Sequence, residues 1–144
     1  MSLEKSQKIV KVLGILSIIG AVVSFIAALG LLGVGGLSVF NVNESASDEV
    51  FMGIGLFLVL GIIMLVSGVF ELLQGIFSLK AAKDATKAQP LWVISLISVV
   101  LDALSMIASF TNHSSVQDIL TEIFTLAIAC FTFYLANNIK KLAK

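Results

Sequence analysis

The sequence predicts an all-α fold: a polytopic membrane protein built as an antiparallel four-helix transmembrane bundle, with the N- and C-termini in the cytoplasm. Two patterns predict it. Four long apolar runs succeed one another along 144 residues, and the lysines cluster only at alternate gaps between them. Of these residues 58% are hydrophobic and 12% charged, against about 25% charged in a soluble domain. Mean hydropathy is +1.09. A water-soluble core of this size cannot absorb so much apolar surface, so lipid must cover most of it. The length suits one four-span domain.

The runs cover approximately 9–36, 50–79, 91–110 and 119–139. The first resembles a signal peptide in having Lys5, Lys8 and Lys11 before it. However, 12–40 is 29 residues without a charge, whereas a signal core holds about 7–15. It is therefore read as a membrane span. Each run is long enough for a hydrocarbon core of about 30 Å. Gly30, Gly33, Gly35 and Gly36 are expected to loosen the outer end of span one.

Charge gives the direction. The lysines are Lys5, Lys8 and Lys11, then Lys80, Lys83 and Lys87, then Lys140, Lys141 and Lys144. The loops 41–49 and 111–118 contain none. The positive-inside rule places both termini and the loop 80–90 in the cytoplasm, and a plasma membrane is the expected location. So complete a bias argues against dual-topology insertion. The chain has no arginine, which argues against a nucleic-acid surface.

Local signals fit these boundaries. Ser45 with Asp48, and Ser115 with Asp118, are candidate capping boxes for spans two and four. Pro90 suits the first turn of span three, and Trp92 then falls at the inner interface. Residues 79–88 are rich in helix formers, so span two is expected to continue into the cytoplasm.

Small and polar residues line one face of each helix. Span three carries Ser95, Ser98, Asp102, Ser105 and Ser109; span two carries Ser67, Glu71, Gln74 and Ser78. Steps of three and four keep each set on one face. Gly61, Gly68 and Gly75 recur every seven residues, and span one has Gly14, Ser17, Ala21, Ser24 and Ala28. Such faces let helices approach closely in lipid, so Gly61, Gly68, Gly75, Ser17 and Ser24 are the expected packing positions. A shift of 81 residues lays the span-one stripe on the span-three stripe, with Ala21 opposite Asp102. This hints at a duplication.

The candidate polar site is Glu71 and Asp102, with Gln74, Ser67, Ser98 and Ser105 around them. A charge at mid-membrane costs about 2.5–3.5 kcal/mol on insertion scales, so such residues face an interior and serve a purpose. Glu71 lies roughly 12 Å and Asp102 roughly 16 Å from the inner boundary at 1.5 Å per residue. No lysine inside the membrane can neutralise either one. They are expected to lock helix packing through neutral hydrogen bonds, or to carry protons or cations. Intramembrane aspartyl-protease chemistry does not fit, because its motifs are missing around both acids.

Other features have plainer readings. Glu122 is expected to be solvated near the outer mouth, and Tyr134 with Asn138 to form an interface anchor. Cys130 reads as a small buried hydrophobe, and one cysteine allows no internal disulfide. His113 and the two glycosylation-like triplets at Asn43 and Asn112 read as ordinary loop polarity. No metal site or cofactor is expected. No CxxC, HExxH, GxSxG or phosphate loop occurs, which argues against an enzyme. The loops lack the cysteines and length of claudins and tetraspanins. Span one lacks the acid of small multidrug transporters.

Residues 75–90, GIFSLKAAKDATKAQP, followed by Leu91 and Trp92, carry a glycine, an apolar stretch, a short basic loop, a proline and then an aromatic. This pattern, over about a quarter of the chain, resembles small four-span membrane proteins of Gram-positive bacteria. The resemblance implies the four-span fold and no activity. The expected role is that of a non-enzymatic interaction or accessory protein, using its small-residue faces and lysine-rich segments. The alternative is a proton- or cation-coupled transporter or channel using Glu71 and Asp102. Expected partners are the bilayer, anionic lipid at Lys80, Lys83, Lys87, Lys140, Lys141 and Lys144, and a second copy or another membrane protein.

Overall fold

The structure, a computed structural model, describes residues 1–41, 48–111 and 116–143. They form four helices: α1 (Leu3–Asn41), α2 (Asp48–Lys83), α3 (Ala88–Thr111) and α4 (Val116–Leu142). Each contains a stretch long and apolar enough to cross a membrane. The capping serines Ser45 and Ser115, the triplets at Asn43 and Asn112, and His113 lie outside the described residues, as does the side chain of Ser109.

Every helix overruns the apolar run that predicts it. α1 continues through Gly30, Gly33, Gly35 and Gly36 to Asn41 without a break. The glycines were expected to loosen this end. In a stretch so apolar, an unwound turn would leave backbone N–H and C=O groups without partners, which outweighs the weak helix propensity of glycine. α2 runs past the last apolar residue to Lys83, as its helix formers predict.

The joint between α2 and α3 is tighter than a loop of eleven residues. Asp84 caps a 3₁₀ turn, Ala85–Lys87, and accepts hydrogen bonds from the Thr86 amide at 3.1 Å and hydroxyl at 2.6 Å. Lys87 returns to Asp84 at 3.2 Å. Pro90 then falls in the first turn of α3, where its missing N–H costs nothing.

Contacts divide the chain into two compact units, Met1–Leu16 with Leu73–Lys144, and Ser17–Leu72. The first unit has the larger core. Val10, Leu91, Leu135 and Ile139 are fully buried there, with Ala81 and Ala88. α3 and α4 lie side by side and run in opposite directions: Ser105 meets Glu122 near one end, and Trp92 meets Phe133 near the other. Asn138 donates from α4 to Ser6 Oγ at 2.7 Å and to the Met1 carbonyl at 3.2 Å. Gln7 reaches the Ala81 carbonyl, one of the carbonyls left open at the end of α2. All the described lysines belong to this unit.

The second unit is a hairpin of α1 and α2 held by small residues. A Cβ on Gly61 would stand 2.6 Å from Leu32 Cγ and 3.3 Å from the Ala28 carbonyl. One on Gly68 would stand 3.1 Å from the Phe25 ring. Ala21, Ala28 and Gly35 are buried on α1, and Ile54, Gly61 and Gly68 on α2. Both series step by sevens, so each glycine admits a bulky side chain from the facing helix.

Candidate functional site

Inside lipid, a hydroxyl ordinarily satisfies itself on the carbonyl one turn earlier. Ser38, Ser95, Ser98, Thr121, Thr125 and Thr132 each donate to the carbonyl four residues before. Among the described residues, two serines donate instead to a carboxylate on another helix. Ser24 on α1 donates to Glu71 Oε2 on α2 at 3.2 Å. Ser105 on α3 donates to Glu122 Oε1 on α4 at 2.9 Å.

Glu71 sits against a gap in α1. A Cβ on Gly20 would stand 3.0 Å from Oε2 and 3.6 Å from Cδ. Glycine at 20 is what lets the carboxyl group approach the backbone of α1. Ser24 lies one turn further along the same face and supplies the donor.

Gln74 and Ser98 join the polar faces of α2 and α3, but weakly. Ser98 Oγ is 3.5 Å from Gln74 Oε1 and 3.1 Å from the Ile94 carbonyl. One hydroxyl proton serves the nearer acceptor, which leaves the Gln74 contact long. Asp102 is half-buried on α3, three residues before Ser105, and within electrostatic reach of Glu122. Glu122, expected to be solvated, is half-buried and hydrogen-bonded. A sequence signal for this existed: Ser105 and Glu122 are equidistant from the middle of the 112–115 connection, so an antiparallel pair sets them level.

The other expected positions divide. Gly61, Gly68 and Gly75 are buried, and Ser17 and Ser24 are half-buried, on the packed faces of α1 and α2. Ser67 is exposed, as is Ser105 despite its bond to Glu122, and Cys130, expected to be buried, is exposed on α4. The described residues bring together no three His, Cys, Asp or Glu side chains that could hold a metal ion. The chain matches no family model, no curated protein and no solved structure.

At the lysine-bearing end, two cations face aromatic rings. Lys140 Nζ lies 4.2 Å from the Trp92 ring centroid, and Lys80 Nζ lies 5.7 Å from that of Phe77. Lys8 pairs with Glu4, and Lys87 with Asp84. Asp84 is the titratable group whose environment is clearest. The Thr86 hydroxyl, then Lys87 and the Thr86 amide, hold its carboxyl below the usual carboxylate range.

Proposed function

We propose that this chain is a four-span bundle of the plasma membrane with both termini in the cytoplasm, acting as a non-enzymatic interaction or accessory protein. The observation that carries the reading is a polar face open to the surroundings. Ser105, Thr121 and Thr125 are exposed on α3 and α4, beside half-buried Asp102 and Glu122. Polar groups and carboxyls facing hydrocarbon are costly, and a polar-faced helix from a second copy or another membrane protein removes that cost. The small-residue faces at Gly14, Gly61 and Gly68 are filled by this chain's own helices. Gly30, Gly33 and Gly36 have nothing within 4 Å of where a Cβ would stand, and they give a partner helix a second approach.

Photo-crosslinkers placed at Thr121, Thr125 and, as a lipid-facing control, Leu104 test this in intact membranes. Protein adducts from the threonines and lipid adducts from Leu104 support it. Lipid adducts from all three sink it. Anionic lipid is the proposed partner of the lysine-bearing end, at about 1 kcal/mol per lysine near the surface. Lys83 and Lys141 are the better candidates, since Lys87 and Lys140 already have partners.

A second reading is proton- or cation-coupled transport using Glu71 and Asp102. The hydroxyl of Ser24, turned to Glu71 instead of its own helix, favours it. Proteoliposomes holding a pH dye decide the matter. Flux that disappears in the Glu71→Gln, Asp102→Asn double variant supports transport, and its absence in the native protein excludes it.

A further inference from the structure

Ser24 and Ser105, the two serines that donate to a carboxylate on another helix, occupy places in the stripes of α1 and α3 that a shift of 81 residues superimposes. At Ser24 the alternative acceptor is identifiable. Four residues earlier stands Gly20, so the carbonyl that Ser24 forgoes belongs to the residue that Glu71 faces. The carboxyl therefore lies in the Gly20 gap, where a Cβ would stand 3.0 Å from Oε2, and accepts the Ser24 hydroxyl at 3.2 Å. Within this unit, α1 from Ser17 to Asn41 carries no titratable side chain, and α2 from Val50 to Leu72 carries only Glu71. Of the other membrane acids, Asp102 lies on α3 and Glu122 on α4.

We infer that Glu71 is a proton-binding site whose occupancy is passed to α1 through the rotamer of Ser24. Without the proton, Ser24 donates to the carboxylate. One proton from the aqueous phase adds to the carboxylate, and the net charge rises by one. The new carboxyl O–H donates to Ser24 Oγ, and the Ser24 hydroxyl turns to donate to the Gly20 carbonyl, as the other membrane hydroxyls do on their own helices. No covalent bond other than the new O–H forms or breaks. α1 thus exchanges a bond to α2 for a bond to itself. The inference rests on the same carboxylate as the transport reading but not on transport.

Infrared difference spectra on acidification test it, using the full chain in phosphatidylcholine–phosphatidylglycerol vesicles. One component of the protonated-carboxyl C=O band is expected to vanish in Glu71→Gln and to persist in Asp102→Asn and Glu122→Gln. In Ser24→Ala that component moves to higher frequency, because the carboxyl loses its acceptor, and Ser24→Thr restores it. Where Glu71→Gln does not fold, the Ser24 pair alone decides. A band unchanged in Glu71→Gln, or one that keeps its position in Ser24→Ala, overturns the inference. Absence of flux with the band behaving as expected counts only against transport.

Discussion

Gly14 on α1 and Ser78 on α2 approach so closely that a methyl group on Gly14 would stand 2.8 Å from Ser78 Cβ. The same methyl would be 3.0 Å from the Gly75 carbonyl and 3.3 Å from the Leu79 amide nitrogen. Two of these neighbours are backbone, which cannot turn aside. Glycine at 14 is therefore a packing requirement at the lysine-bearing end.

Gly14→Ala is accordingly expected to push α1 from α2 and cost about 1–3 kcal/mol, the usual range for overpacking. Gly30→Ala is the matched control, since a Cβ there meets nothing within 4 Å. Thermal unfolding in detergent gives the comparison. Equal melting temperatures for the two variants would contradict the packing.

Ser78 adds an opposite expectation. Its side-chain oxygen is buried without a hydrogen-bond partner among the described residues. A buried unsatisfied hydroxyl carries a desolvation penalty of about 1–3 kcal/mol. Ser78→Ala removes the penalty and keeps the Cβ that meets Gly14. The variant is expected to match or exceed the native protein in thermal stability by up to about 1 kcal/mol. A clear loss of stability would reveal that the hydroxyl serves a partner.

Periodicity made the helices and their buried faces legible. Gly14, Ala21 and Ala28 on α1, and Gly61, Gly68 and Gly75 on α2, are buried where their sevenfold spacing puts them. Periodicity names a face and not the residue opposite it. Glu122 illustrates this: its position near a helix end suggests water, while its bond to Ser105 depends on the length of the connection. Ser67 shares a stripe with Glu71 but is exposed, since it stands one residue before the buried Gly68, about 100° round the helix from the packed glycine face. The choice of Ser24 between Gly20 and Glu71 is a rotamer, and no spacing rule encodes it. Asn138 is one turn from Tyr134 and reads as an interface anchor, yet its amide ties α4 to Ser6 and Met1.

Trp92 offers a direct spectroscopic probe, because it is the one tryptophan in the chain. Its ring lies 5.7 Å from that of Phe133, with Lys140 Nζ at 4.2 Å from its centroid. Lys140→Gln is expected to change the tryptophan emission and to cost about 0.5–1 kcal/mol, the worth of an exposed cation–π contact. Lys141→Gln leaves the emission as it is. In phosphatidylglycerol vesicles the order reverses, and Lys141→Gln weakens lipid retention more than Lys140→Gln. Identical emission in both variants would separate Lys140 from Trp92.

The turn between α2 and α3 should respond to acid through Asp84. Its folded-state pKa is depressed, chiefly by the Thr86 hydroxyl, then by Lys87 and the Thr86 amide. A depressed carboxyl contributes stability above its unfolded pKa and loses it as pH falls through the folded pKa. The joint is therefore expected to be tightest near neutral pH and to loosen below the ordinary carboxylate range. Asp84→Ala removes both the cap and the charge, and it should loosen the turn at neutral pH while differing little from the native protein in strong acid. Asp84→Asn keeps a capping oxygen for the Thr86 amide but loses the pairing with Lys87, so it falls between. Hydrogen exchange at the Thr86 amide, followed across this pH range and corrected for its intrinsic rate, reads the effect. A constant difference between native and Asp84→Ala protein at every pH would show that the cap acts through shape and not through its charge.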